Sequence, residues 1–314
     1  MFKTGIIYCP YHRPFISVQK RWRKIKECLD SYGIQYDMVQ SEERQSVERL
    51  VMMMLNNGYD TIIIIGGDSA LSEAANCFMK VEKQTRERVA LGIIPNGTMN
   101  DFARFWGFYY EKIEDCVAAI AQRRIRKIDV GCIRYHNSKG ERRQRYFLNC
   151  INVGQLADIQ NMRAYIRKWL WSRRLTYVAS LLLILFRKQY YKVKYKVNEN
   201  IEKVKMTTLC VGNACGYGLT PNATPYSGLL DMIIVKHTFK SQLLSAVYFF
   251  IRKKILNYKN VIPYRTYKAE LYTNSKLPIN IDGSPMTPPS GGYTIEVIPE
   301  EINFIAEQYN VRKK

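Results

Sequence analysis

Two stretches of this sequence bring glycine and aspartate together where an apolar run ends. Ile62 to Ile65 lead into Gly66, Gly67, Asp68 and Ser69, and Ile93 and Ile94 lead through "PNGTMND" to Asp101. Glycine has no Cβ, so an anion can come close to the backbone. A strand that turns into a helix there also presents free N–H groups and the positive end of the helix. Asp68 would be a poor phosphate contact and a good partner for a divalent cation or its waters. One such turn is equally an ordinary strand-to-helix connection. Two on neighbouring strands would set two aspartates and several free N–H groups at one sheet edge, an arrangement suited to a nucleoside triphosphate.

The elements that hold these turns follow from periodicity. Residues 4–8 predict a strand, 16–31 a helix, "IQYDMVQ" a strand, and "ERQSVERLVMMMLNNG" a helix ending at Gly58. "YDTIIIIGGD" is a continuous β-branched run, the signature of a strand covered on both faces. A helix from Ala70 follows, then strand, loop and helix over "VALGIIPNGTMNDFARFWG". Alternation of this kind predicts an α/β domain with a parallel, doubly wound sheet.

From about Arg123 the pattern changes to alternating strands with hairpin signals, such as "HNSKGERRQ" between two strand runs. A helix is expected over 164–187, strands at "YYKVKYKV" and "MTTLCVGNA", a helix over 239–257, and strands at "YKAELY", "LPINIDG" and "GYTIEVIP". The expected organisation is an α/β nucleotide-binding domain over 1–124 and a β-rich, sandwich-like domain over 125–299. Residues from about 300 to 314 form a segment that can return to the first domain. A ligand cleft is expected between the two.

Forty-eight Lys and Arg against 27 Asp and Glu give a formal net charge of +21, which favours anionic partners. Eight cysteines include no C-x-x-C pair and are accompanied by only three histidines, which excludes zinc-finger spacing and fits buried thiols in a reducing compartment. The N-terminal apolar run is too short for a signal peptide. The apolar run Leu175–Phe186 falls short of the roughly 20 residues of a spanning helix. A cytoplasmic protein in peripheral contact with a membrane is therefore expected. "MRAYIRKWLWSRRLTYVASLLLILFRKQYYKVKYK" (162–196) reads as an interfacial helix with a basic collar, Trp169 and Trp171 lying at headgroup level. The leucines of that stretch, Leu175–Phe186, read rather as a core helix of the second domain, which leaves the membrane contact to the basic flank. "KRWRKIK" (20–26), "RRIRK" (123–127) and the terminal "RKK" suit a surface drawn to anionic lipid. No nucleic-acid-binding motif is visible, so nucleic acid is not an expected partner.

The chain resembles the diacylglycerol kinase and sphingosine kinase family of lipid kinases. The resemblance rests on "GGD" with Glu73, matching GGDGT-x-x-E, and on "PNGTMNDFAR", matching P-x-GT-x-ND-x-AR. It continues through "KIDVG" (127–131), "FLNCINVGQLAD" (147–158), "VGNACGYGLTPNATPYSGLLDMIIV" (211–235) and "INIDGSP" (279–285), in order from about residue 4 to residue 298. The GT-x-ND element is the specific one, since GGD also occurs in NAD kinases and phosphofructokinases.

The resemblance implies ATP bound in the cleft and a lipid hydroxyl brought from the β-rich side. It implies that Gly66, Gly67 and Thr98 line the ATP phosphates, with Asp68, Ser69, Glu73, Gly97 and Asn100 in the same two loops. It implies that Asp68, Asp101 and Asp129 hold magnesium or its waters, and that Asp231 matches a structural magnesium position. Each has a plainer reading: a helix N-cap for Asp101, a turn residue for Asp129, and an acidic residue before an apolar strand for Asp231. Asn149 and Asn213 also match, and turn asparagines look the same.

Three positions depart from the family pattern. Ser69 replaces a third glycine, which would cost about 1–2 kcal/mol if the backbone there were left-handed. Ala70 replaces a threonine, and Ser227 an aspartate. Beyond these, Ser284 stands in place of the DGE glutamate near the acceptor hydroxyl. Loss of a general base costs about 10²–10⁴-fold, less where the transition state is loose. Asp282 remains two residues earlier, and i and i+2 share a face in an extended segment. The catalytic candidates are thus Asp68, Asp101 and Asp282. The expected function is an ATP- and magnesium-dependent lipid kinase. The alternatives are a relative that binds nucleotide or lipid without catalysis and a kinase of a soluble substrate such as NAD.

Overall fold

Four consecutive isoleucines, Ile62 to Ile65, are each 0% exposed in the computed structural model of the chain. Full burial contributes roughly 1.5–3 kcal/mol per side chain of this size. They lie on β3 (Thr61–Gly66), whose six residues are all buried, as are the six of β4 (Ala90–Pro95). The structure describes residues 2–10, 15–42, 46–97, 99–166, 190–237, 245, 248–250, 252, 254–273, 276–286 and 291–306. It divides into two compact units, one running through Asp129 and resuming at Pro299, the other Val130–Ile298.

The first unit is α/β. β1 (Thr4–Tyr8) pairs in parallel with both β2 (Tyr36–Gln40) and β3, and β3 pairs in parallel with β4. The last residues of β15 (Gly292–Ile305) pair in parallel with β4 through Asn303 and Phe304, giving the order β15-β4-β3-β1-β2. α2 (Ser46–Asn56) packs on α3 (Asp68–Phe78), and α1 (Phe15–Ser31) on α6 (Ile113–Ala121). α4 (Lys83–Arg88) and α5 (Asp101–Phe105) flank β4 in sequence. α3 begins at Asp68 rather than Ala70. The glycine pair ends the strand, so Asp68 and Ser69 already belong to the helix.

The second unit is an antiparallel, β-rich body. Its strands follow the order β14-β13-β7-β9-β8-β12-β15. They are β7 (Cys150–Gly154), β8 (Tyr191–Val197), β9 (Asn200–Gly212), β12 (Lys268–Tyr272), β13 (Ile279–Ile281) and β14 (Ser284–Met286), with the first part of β15. β10 (Leu230–Lys236) pairs with β9 and with β11 (Val261–Thr266). β5 (Ile125–His136) pairs with β15 and with β6 (Arg142–Phe147). The core here is aliphatic and tyrosine-rich, built from Val193, Leu209, Ile234, Leu271 and Ile295 among others.

Directly after β7 comes α7 (Gln155–Ile166), which overlaps the helix expected over 164–187 only at its last residues. The rest of that expected stretch, with Trp169, Trp171 and the leucine-rich run, lies outside the described residues. So do most of 239–257 and the terminal "RKK". Among the described residues no helix is long and apolar enough to cross a membrane. All eight cysteines are free thiols, six of them buried.

Candidate functional site

The strand order of the first unit switches direction between β1 and β3, and in open α/β sheets ligands collect beyond the carboxyl ends of strands at such a point. Both glycine turns emerge there. Gly66 pairs with Pro95 across β3 and β4, and the N–H of Asn96 donates to the carbonyl of Gly66 at 2.7 Å. The turns then touch through their backbones. A Cβ on Gly97 would stand 2.5 Å from the Cα of Gly67 and 2.7 Å from Oδ1 of Asn100. Glycine is therefore required at Gly97 by the contact between the two turns themselves.

Asp68 locks this contact. Its Oδ2 accepts the N–H of Asp101 at 3.0 Å, and its Oδ1 accepts the N–H of Phe102 at 3.1 Å. Asp68 is 9% exposed and supplies α5 with acceptors for N–H groups that lack partners within the helix. Asn100 closes the second loop on itself. Its Oδ1 accepts the N–H of Gly97 at 2.8 Å, and its Nδ2 donates to the Gly97 carbonyl at 3.1 Å. Asn100 sits in the left-handed region, φ 51° and ψ 45°, as the residue that caps α5. Asp101, read as a possible cap, is instead the first helical residue and is half-buried.

This corrects one expectation. The second turn does not present free N–H groups at Gly97, Asp101 and Phe102, because closing the loop uses them. The first turn differs. Gly67 brings no side-chain cap to α3, and the first turn of an α-helix offers its N–H groups no intrahelical acceptors. The N-terminus of this eleven-residue helix is thus better suited to an anion than the second turn is. Ser69 lies in regular helix and is not among the positive-φ residues, so the expected left-handed strain does not arise. Glu73 is half-buried on the same helix. On that helix too, burial, aided by Glu48 and Glu73 and opposed by Lys80, pushes the Cys77 thiol up to about 12. Thr98 lies outside the described residues.

The remaining acidic candidates have other partners. Asp129 is 1% exposed, and its Oδ1 accepts the N–H of Glu300 at 3.0 Å. Asp231 pairs with Arg265, whose Nε lies 2.8 Å from Oδ1, so a guanidinium supplies positive charge at that position. Among the described residues no three carboxylate, imidazole or thiol side chains gather as a metal site. Asp68, Asp101, Asp129 and Asp231 therefore make no cation cage of their own. The donor set still suits magnesium held jointly with substrate phosphates, which takes only one or two carboxylates from the protein.

In the second unit the face expected to be shared by Asp282 and Ser284 is not found. Asp282 has φ 48° and Gly283 φ 82°, the two left-handed residues of a tight hairpin turn between β13 and β14. Such an Asp–Gly pair matches the right-handed twist of the flanking strands. Face-sharing between i and i+2 holds only in extended chain, so Asp282 and Ser284 do not lie on one face. The Asp282 carboxylate is 1% exposed and accepts the N–H groups of Leu148, Asn149 and Cys150 at 2.8–3.0 Å. It holds the β6–β7 connection. Asn149 and Asn213 are loop fasteners as well: Asn149 Oδ1 accepts the N–H of Gly216, and Asn213 Nδ2 donates to the Leu148 carbonyl. The Ser227 hydroxyl donates to carbonyls of its own turn.

Arg21 was not a candidate and belongs to the site's support. Read within "KRWRKIK" as surface charge, it is 7% exposed. Its Nη2 donates to the Pro95 carbonyl at 3.1 Å, and its guanidinium lies 3.9 Å from the centre of the Tyr110 ring. The signal was present in the spacing, because Arg21, Ile25 and Leu29 share one helix face. Lys20, Arg23, Lys24 and Lys26 do face solvent.

Residues 16–133 match the family model of the diacylglycerol kinase catalytic domain, and residues 151–306 match the YegS C-terminal NAD kinase beta sandwich-like domain. The chain belongs to the diacylglycerol kinase-like family of lipid kinases. A diacylglycerol kinase of Bacillus subtilis (strain 168) is 23% identical over 228 residues, 72% of this chain and 71% of that one. A Shewanella frigidimarina protein named "Probable lipid kinase YegS-like" is 24% identical over 282 residues, 88% of this chain and 86% of that one. In fold, the chain is similar to a diacylglycerol kinase from Bacillus anthracis str. Sterne, with TM-score 0.67 and 19% identity over 98% of this chain and 97% of that one. Yeast NADH kinase, solved with NADH, shares the fold more distantly, with TM-score 0.57 and 8% identity over 98% of this chain and 84% of that one. The sandwich domain and α/β domain of this family are thus both present.

Proposed function

We propose that the protein is an ATP- and magnesium-dependent lipid kinase that phosphorylates a hydroxyl of a diacylglycerol- or sphingoid-type lipid. The observation that carries this reading is the backbone contact of Gly67 with Gly97, fastened by Asp68, in a member of a lipid kinase family. The N-terminus of α3 receives the phosphates, with Gly66 and Gly67 allowing close approach. Asn100 shapes the loop that carries Thr98. Asp68 holds that loop against the first. Magnesium, when bound with the nucleotide, neutralises charge on the phosphates. Asp101, half-buried beside Asp68, is the carboxylate we assign to it. Transfer forms a bond from the lipid oxygen to the γ-phosphorus and breaks the γ-phosphorus bond to the bridging oxygen; ADP leaves, and the hydroxyl proton passes to the transferred phosphoryl group or to water. A loose transition state depends mainly on positioning, which suits a site whose Asp282 is committed elsewhere and whose Ser284 has no basicity at neutral pH.

The protein would work from the cytoplasm, attached peripherally to membrane. Free thiols, the basic charge balance and a lipid acceptor support this placement. Incubating purified protein with labelled ATP, magnesium and a panel of lipid alcohols is expected to yield a phospholipid that is lost in Asp101→Ala. Tight ATP binding without transfer to any lipid would overturn the reading. Transfer to NAD without lipid would place the protein with kinases of soluble substrates.

The use of Asp282 as a fastener, together with Ser284, favours a second reading, a relative that binds nucleotide or lipid and acts by occupancy. Ser284→Glu separates the two. A large gain from a silent wild type supports the second, and a healthy wild type that does not gain excludes it.

A further inference from the structure

The solvent face of the second unit carries lysines opposite lysines. β8 alternates buried Tyr191, Val193 and Tyr195 with outward Lys192 and Lys194. In register on β9, Lys205 stands across from Lys192 and Lys203 across from Lys194. Like charges directly opposite each other destabilise a sheet. Among the described residues none of these four lysines has an ion pair with a carboxylate. The face thus keeps an electrostatic cost that folding does not require.

The same face continues across β12 into a recess. Tyr272 pairs with Lys194 across β8 and β12, and Lys194 lies 5.9 Å from the centre of its ring. Beyond Tyr272 lies an open cavity of about 480 Å³ whose lining includes Arg134, His136, Arg142 and Lys268. Arg134 is paired with Glu296 and Lys268 with Glu270. The exposed apolar groups are Ile201 at 57%, Tyr272 at 45% and Tyr190 at 37%. Tyrosine rings suit the headgroup level of a bilayer, and lysine stems cover apolar surface while their charges reach phosphate. An exposed isoleucine has no part in stacking on nucleic-acid bases.

We propose that this face docks the protein on a bilayer containing anionic phospholipid, with the recess receiving a headgroup phosphate. The proposal rests on the lipid-kinase reading for the reason a bilayer is the relevant partner. It adds which surface meets that bilayer, and it lies apart in sequence from both glycine turns.

The test is sedimentation of the 314-residue protein with phosphatidylcholine vesicles, with and without phosphatidylglycerol, in the absence of ATP. Wild type is expected to bind the anionic vesicles only, and less at high salt. The pair Lys194→Glu and Lys203→Glu is expected to weaken binding by about tenfold or more. A second pair, Arg142→Glu and Lys268→Glu, tests the recess in the same way. Far-UV circular dichroism is expected to match wild type for both. The thermal midpoint is expected to match for the first pair and to fall slightly for the second, which loses the Lys268–Glu270 pair and sets a glutamate opposite Glu296. Unchanged vesicle binding in correctly folded variants overturns the proposal. So does displacement by millimolar inorganic phosphate, which would make the recess a site for free anions. Binding of single-stranded RNA without vesicle binding also overturns it. Transfer to a lipid alcohol in neutral detergent micelles is expected to be unchanged in both variants. Vesicle binding without transfer leaves the docking face standing and removes the kinase reading.

Discussion

The side chain of Asp68 holds the backbone of Asp101: its Oδ2 accepts the Asp101 N–H at 3.0 Å, and its other oxygen takes the next N–H of α5. The aspartate of the first glycine turn is therefore the fastener of the second, and any ligand binding across both turns depends on it.

Asp68→Asn keeps the shape but only one acceptor for two N–H groups. A hydrogen bond to a charged acceptor contributes about 1.5–3 kcal/mol. Loss of about that much stability is expected in urea unfolding. A larger fractional loss of nucleotide affinity is expected by isothermal titration, because the loops separate before the unit unfolds. Equal ATP affinity in the two proteins would contradict this role.

Gly97→Ala forces a Cβ to within 2.5 Å of the Gly67 Cα. Overpacking of this kind costs about 1–3 kcal/mol, and the displaced loop should abolish ATP binding. Gly33→Ala is the control. Gly33 has φ +64° and no atom within 4 Å of an added Cβ, so only the left-handed backbone is penalised, by about 1–2 kcal/mol. Its ATP binding should equal that of wild type.

Asp282→Asn replaces an acceptor of three N–H groups with an amide that turns an NH₂ toward donors. A stability loss of about 2–3 kcal/mol is expected. The pH dependence of kcat/KM, measured on the folded fraction, should keep its wild-type shape. Disappearance of an acidic limb would instead return Asp282 to the role of base.

Burial pushes the Cys77 thiol up to about 12 and, with Glu296 adding and Arg134 opposing, the Cys132 thiol up to about 11. The folded state holds these protons more tightly than the unfolded state, where a thiol titrates near 8.5. Their contribution to stability is complete below that pH and is lost as pH rises through 11 and 12. The urea midpoint should fall from pH 8 to pH 11, and Cys77→Ala should show a smaller fall. At pH 8 iodoacetamide should label Cys77 and Cys132 more slowly in folded than in urea-unfolded protein, because the thiolate is the nucleophile.

Both glycine turns and the strands that deliver them were legible in the sequence. Four β-branched residues followed by two glycines leave little else for the chain to form, since that pattern depends on neighbours alone. The change along the chain from α/β to β-rich character was legible for the same reason. Arg21 shows a local signal that charge concealed, for its helix face is apolar apart from itself. Asp282 shows a local rule applied outside its domain, because Asp–Gly between two short strands is a turn in which side chains no longer alternate.

What the sequence by itself determined is which residues stand at strand ends, which helices follow them, and the net positive charge. Only the tertiary structure decided what each of those residues holds. Asp68 meets α5 across 33 positions, Asp282 meets Leu148 across 134, and Lys194 faces Lys203 rather than a carboxylate. Hydrophobic period is set between near neighbours in the chain. Hydrogen-bond partners and charge pairs are set by strand order and register, which arise only when distant segments pack and bury a common core.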